Sequence, residues 1–183
     1  MTRLFGNRRN CIIALAVATA LAVLASWRGP RATPDALNHP IHDHPELFGD
    51  AVACPDRGDP FENGRRTEEI ARRRADRYAY DPRDGVRAVQ RYQEAGSCYR
   101  AAGDELGGPR VRRAISVLTT RVNTDYAAAR LNLFNALEQE RWSVALSEIR
   151  RLLLLTDHIG RHEYVEWLNE IIGRVTAKAS TES

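Results

Sequence analysis

The chain has little that would announce a reaction. No G-x-S-x-G elbow, phosphate-binding P-loop, H-E-x-x-H zinc pair or glycine-rich dinucleotide turn occurs among its 183 residues. The loops and side-chain pairs that those chemistries need are therefore missing. That removes the reason to propose an enzyme, and no cofactor is expected. Net charge is scarce as well. The formal +3 is carried entirely by Arg3, Arg8 and Arg9, and from residue 28 onward basic and acidic side chains balance. A neutral, mixed surface lacks the electrostatic footprint of a nucleic-acid binder, so no such partner is expected. Lysine is nearly absent. Lys178 stands alone against a large excess of arginine, a bias that, with abundant alanine, fits GC-rich bacterial coding. No segment alternates apolar and polar residues as a half-buried strand would, so the expected class is all-α.

Charge is also absent from Cys11 to Trp27, a run of 17 residues behind the basic stretch MTRLFGNRRN. A basic segment before an apolar run is an export signal, and the run meets the lower edge of a membrane span of roughly 17–25 residues. Two outcomes fit residues 1–27. One is an uncleaved anchor, with its N-terminus in the cytoplasm and the rest of the chain in the periplasm. The other is a signal peptide cleaved near Val23-Leu24-Ala25, which leaves a periplasmic or secreted protein. The length of the run and the interfacial pair Trp27-Arg28 favour the inner-membrane anchor, so residues 11–27 are the expected membrane contact. Cys11 precedes the apolar run, whereas a lipidated cysteine would follow it.

Residues 28–64 hold Pro30, Pro34, Pro40, Pro45, Pro55 and Pro60. Proline fixes φ and removes a donor, so this stretch reads as an extended spacer. Its second half, with Leu47, Phe48 and Phe61, is a candidate to lie against the domain that follows. From Arg65 the pattern turns helical. Glu68–Arg72 and Glu69–Arg73 are i,i+4 pairs, and Asp81-Pro82 stops this first helix. A second helix covers 83–102 and a third opens near Pro109. Asn123-Thr124-Asp125 either caps a new helix or lies within one continuous long helix. Tyr126, Ala129, Leu133 and Leu137 line one face of residues 126–139, and Ala127, Leu131 and Phe134 line another, the pattern of a helix sandwiched between neighbours. Trp142 to Leu153 forms a further stripe, with Gly160 as its expected C-cap. A last helix over 161–176 carries Tyr164, Trp167, Leu168, Ile171, Ile172 and Val175. The expected domain spans 65–178, with 179–183 as a disordered tail.

Within that domain Gly96, Tyr99, Gly103 and Ala114 follow the order small, aromatic, turn glycine, small. Trp142 and Ala145 repeat part of it, with Ala145 standing 31 residues after Ala114, against a repeat of about 34. Residues 83–156 thus resemble two tetratricopeptide repeats, by a degenerate pattern. Residues 104–109 read as an insertion, and the proline that usually closes a repeat is absent after Leu155. The resemblance implies stacked helical hairpins, about five helices, and a function in holding a protein partner, here one in the cell envelope. The groove residues it suggests are Tyr92, Tyr99, Asn132 and Asn135, with Arg121 and Arg130 as polar partners.

Three smaller constellations remain. Cys54 and Cys98 are either one disulfide, as an oxidising compartment allows, or two unrelated thiols. His39, His42 and His44 fall within a short proline-bounded loop and could meet one Zn²⁺ or Cu²⁺. That makes an exported metal-binding protein the alternative function, with a polar, proline-rich linker as the favoured reading of the same residues. His158 and His162 stand four apart across Gly160 and read as solvated turn residues. Arg72-Arg73-Arg74 and Arg77 are offset by nearby acids and read as a solvated helix face.

Overall fold

The computed structural model describes residues 43–49 and 52–181. The expected export segment 1–27, the first part of the spacer, and His39 and His42 lie outside the described residues. Among the described residues the chain is all-α, with five helices and no strand. They are α1 (Pro60–Arg77), α2 (Pro82–Ala101), α3 (Gly107–Glu138), α4 (Trp142–Leu155) and α5 (Glu163–Ala179). Each helix packs against the next, and α4 also touches α2.

Local chemistry sets the helix ends. Asp59 Oδ2 accepts from the backbone N–H of Glu62 at 2.9 Å, and Pro60 supplies the preset first turn. Helix α1 therefore begins five residues before the charge alternation that marks it in the sequence. Asp81 and Pro82 repeat the device for α2. Gly103, at φ 71°, reverses the chain after α2, and the Asp104 N–H closes the turn onto the Tyr99 carbonyl. Residues 123–125 do not start a helix: α3 runs unbroken for 32 residues. It ends where Glu140 adopts φ 54° and Arg141 N–H returns to the Ala136 carbonyl. Gly160 is not the cap of α4, which stops at Leu155. There the Thr156 hydroxyl turns back to the Leu152 carbonyl. Ala179, assigned to a tail by its sequence, closes α5, and Lys178 Nζ sits 4.0 Å from the centroid of the Trp142 ring on α4.

The core follows the stripes. Tyr126, Ala129, Leu133 and Leu137 of α3 are buried, as are Ala145, Ile149, Leu152 and Leu155 of α4 and Tyr164, Trp167, Leu168 and Ile171 of α5. The second apolar face expected for 126–139 is not sandwiched. Leu131 is 62% exposed and Ala127 is exposed at the edge of the strap, while Phe134 is half-buried and stacks on Trp167 of α5 at 6.2 Å.

Tyrosines fill the helix crossings, and glycines make room for them. The Tyr78 ring lies over Gly85, the Tyr78 hydroxyl donates to Asp125 on α3 at 2.6 Å, and Arg121 stacks on the ring at 5.2 Å. A Cβ at Gly85 would overlap that ring. Gly85→Ala is expected to destabilise the protein by about 2–3 kcal/mol through overpacking. Gly173→Ala on α5, where nothing stands within 4 Å, is expected to stabilise it by about 0.5–1 kcal/mol. Urea unfolding of both variants checks the contrast.

Candidate functional site

The described part of the spacer is a strap held onto the helices. Asp43 lies 3.9 Å from His162, the Leu47 carbonyl meets His158 Nε2 at 2.8 Å, and Leu47 is buried. Further on, the Ser97 hydroxyl donates to the Val52 carbonyl at 2.7 Å. Cys54 is bonded to Cys98 across a sequence separation of 44, and Asn63 donates to the Arg57 carbonyl at 2.8 Å. The two histidines read as solvated turn residues are thus structural. His162 is also the N-cap of α5, accepting from Tyr164 N–H. The apolar Leu47 expected to lie against the domain does so, whereas Phe61 is 45% exposed on α1; the polar partners were not legible, since most of them lie far apart in the chain.

The residues expected to form a docking groove do not share one surface. Tyr99 is 1% exposed and Tyr92 is 8% exposed, so both belong to the packing of α2, and Tyr99 only borders a cleft lined mainly by α1. Arg130 lies 5.4 Å over the Tyr126 ring, on the side of α3 that faces the strap. Arg121, Asn132 and Asn135 fall on the outer side of α3, where Asn132 reaches Glu148 at 3.5 Å. At about 100° per residue, Val117, Arg121, Thr124, Ala128, Leu131 and Asn135 form one stripe. Val117 is 66% exposed. The heptad spacing of Val117, Thr124 and Leu131 was visible in the sequence, but which side of α3 lay open was not.

Around Tyr99 the structure builds a polar cleft of about 750 Å³. Arg110 grips Glu68 with two hydrogen bonds of 2.8 and 2.7 Å, and the Tyr99 hydroxyl donates to the same carboxylate at 2.6 Å. The Arg110 fork holds the Glu68 carboxyl below its ordinary value against the opposing effect of burial, and the Tyr99 hydroxyl adds to Arg110. Burial first, and then the hydrogen bond to Glu68, pushes Tyr99 up to about 12. The tyrosine is kept protonated and the carboxylate is fully engaged. Such a network fixes three helices together and offers neither a nucleophile nor a free base.

A second cavity, of about 440 Å³, opens between the strap and the middle of α3. His44, Leu47 and Phe48 line it from the strap, and Thr119, Asn123, Tyr126 and Arg130 line it from α3. The His44 ring is tilted against Tyr126 at 6.0 Å. No group of three metal-capable side chains occurs among the described residues.

Comparison with protein-family models, with curated proteins and with solved structures finds no match to this chain. Among the described residues, no helix is long and apolar enough to cross a membrane.

Two outcomes follow for these contacts. Cys98→Ser, or reduction, is expected to lower stability by about 4 kcal/mol on the loop-entropy relation for this separation, and to expose the strap to limited proteolysis. Equal stability and equal protease resistance in both redox states would refute the anchoring. Glu68 contributes stability that is present above its ordinary value near 4.5 and lost as pH falls through its lower folded value. Glu68→Gln is therefore expected to cost about 1–2 kcal/mol at neutral pH and to flatten the acid limb of a stability-versus-pH curve.

Proposed function

We propose that this chain is an exported, membrane-tethered interaction module, with tetratricopeptide-like helical hairpins that hold a protein partner in the cell envelope. The observation that carries the reading is the outer stripe of α3. Val117 and Leu131 are 66% and 62% exposed on a helix whose opposite side is fully packed. Apolar side chains two heptads apart, with Arg121 and Asn132 beside them, suit an amphipathic helix laid along α3. Arg121 is already held in place by the Tyr78 ring, so little side-chain freedom is lost on binding.

Two further features support the reading. The disulfide Cys54–Cys98 is the kind of link that persists in an oxidising compartment, which agrees with the basic and apolar N-terminal segment. Of the small residues of the repeat pattern, Ala145 is fully buried, Gly96 and Ala114 are half-buried, and Gly103 sits in the exposed turn after α2. The continuous α3 departs from that pattern, because it replaces the turn that a repeat pair would place at 123–125. It thereby supplies a longer straight docking face than a repeat pair would.

Site-specific photo-crosslinking in cells tests the proposal. A photoreactive residue at position 117 or 131 is expected to give a discrete adduct with one protein. The same group at Tyr80, which is 88% exposed in the α1–α2 turn, is expected to give none. Leu131→Asp should reduce the adduct from position 117 by about tenfold or more, as loss of a buried anchor would. Equal labelling from positions 80, 117 and 131 would sink the reading.

A further inference from the structure

The half-buried arginines Arg74, Arg83 and Arg151 reach the carboxylates of Asp84, Asp81 and Asp125. Arg130 is the half-buried arginine that pairs with no carboxylate among the described residues. Its guanidinium lies over the Tyr126 ring at 5.4 Å, and Tyr164 acts on its charge from nearby. A guanidinium stacked by its face keeps its N–H donors in the plane of the group, directed away from the ring. Burial also lowers the pKa of Arg130 from its ordinary value, the signature of a cation that has lost water without gaining an anion.

The same cavity holds other unanswered polarity. The Tyr126 hydroxyl and the Thr119 hydroxyl are buried without a hydrogen-bond partner among the described residues, and Tyr126 as a whole is only 5% exposed. Buried hydroxyls in native proteins are nearly always paired, and leaving them unpaired costs stability. An orphaned guanidinium and two orphaned hydroxyls beside one cavity point to a ligand that accepts hydrogen bonds. Leu47 and Phe48 give the cavity an apolar wall, and its volume of about 440 Å³ lies within the range of small-ligand pockets. Glu46 lines the same cavity and is exposed, yet forms no ion pair with Arg130. One cation facing one rim carboxylate suits a single negative charge and disfavours a doubly charged group.

We propose that the cavity between the strap and α3 binds a small organic monoanion, its charged head on Arg130 and the buried hydroxyls, its apolar body against Leu47 and Phe48. This site is independent of the outer stripe of α3, because Arg130 and Leu131 point to different sides of the helix. The strap forms one wall, so the disulfide that anchors the strap also maintains the site.

Calorimetric titration of the full chain in phosphatidylcholine nanodiscs, with empty nanodiscs as blank, tests the assignment with benzoate as the probe. Benzoate is expected to bind at one per chain, with benzyl alcohol and phenyl phosphate each about tenfold or more weaker. Arg130→Gln should weaken benzoate about tenfold or more, and Glu46→Gln should tighten it. Ala127→Phe, which fills the cavity from an exposed position and leaves Arg130 in place, should also abolish binding. It serves as the test if Arg130→Gln fails to fold by circular dichroism. Benzoate binding no tighter than benzyl alcohol, or affinity unchanged in the folded cavity variants, overturns the proposal.

Discussion

The structure turns on the close approach of two glycines to one tyrosine ring. Tyr99 on α2 lies between Gly64 of α1 and Gly107 at the start of α3, and a Cβ at either position would come within 3.0 or 2.8 Å of the ring. Side chains at those positions would push the helices apart, and the ring would lose its contacts on both faces. With glycine there, three helices meet on one aromatic ring, and the hydroxyl at its tip ends on the Glu68–Arg110 pair. The neighbouring residue, Cys98, faces the strap, so the same turn of α2 fixes both the helix crossing and the strap.

That arrangement divides the surface of α3 into three sides. One is packed into the core, through Val111, Leu118, Val122, Ala129 and Leu133. One faces the strap and carries Tyr126 and Arg130 beside the cavity walled by Leu47 and Phe48. The third is open and carries Val117 and Leu131. At 32 residues, α3 packs against both α2 and α4, and among the described residues neither lies over Val117 or Leu131. The two binding readings therefore rest on different sides of one helix, and the failure of one leaves the other intact.

Much of the helical framework was legible in the sequence because its signals are local. Asp81-Pro82 marks a helix boundary by sterics alone, and the stripe Tyr164, Trp167, Leu168, Ile171 marks the buried face of α5 by periodicity. Starts driven by a single cap were less legible, and α1 begins at Asp59-Pro60, before any periodic signal. The docking residues were read poorly for a different reason. Tyr92 and Tyr99 are amphipathic side chains that suit a surface as well as a core, and periodicity does not say which neighbour covers them. His158 and His162 hold the strap and a helix end, and their partners are Leu47 and Asp43, more than a hundred residues away.

The sequence by itself determined the helical class, most helix boundaries and the apolar faces, because caps, prolines and the 3.6-residue period act over a few residues. For Cys54 and Cys98 it left a bridge and two unrelated thiols as alternatives. Only the tertiary structure decided that they meet, that α3 continues through 123–125, that the strap lies on the helices and that Arg130 is left without a carboxylate. Each of these is a relation between distant segments. It is set by which surfaces pack together, and the open side of α3 is the side that no other segment reaches among the described residues.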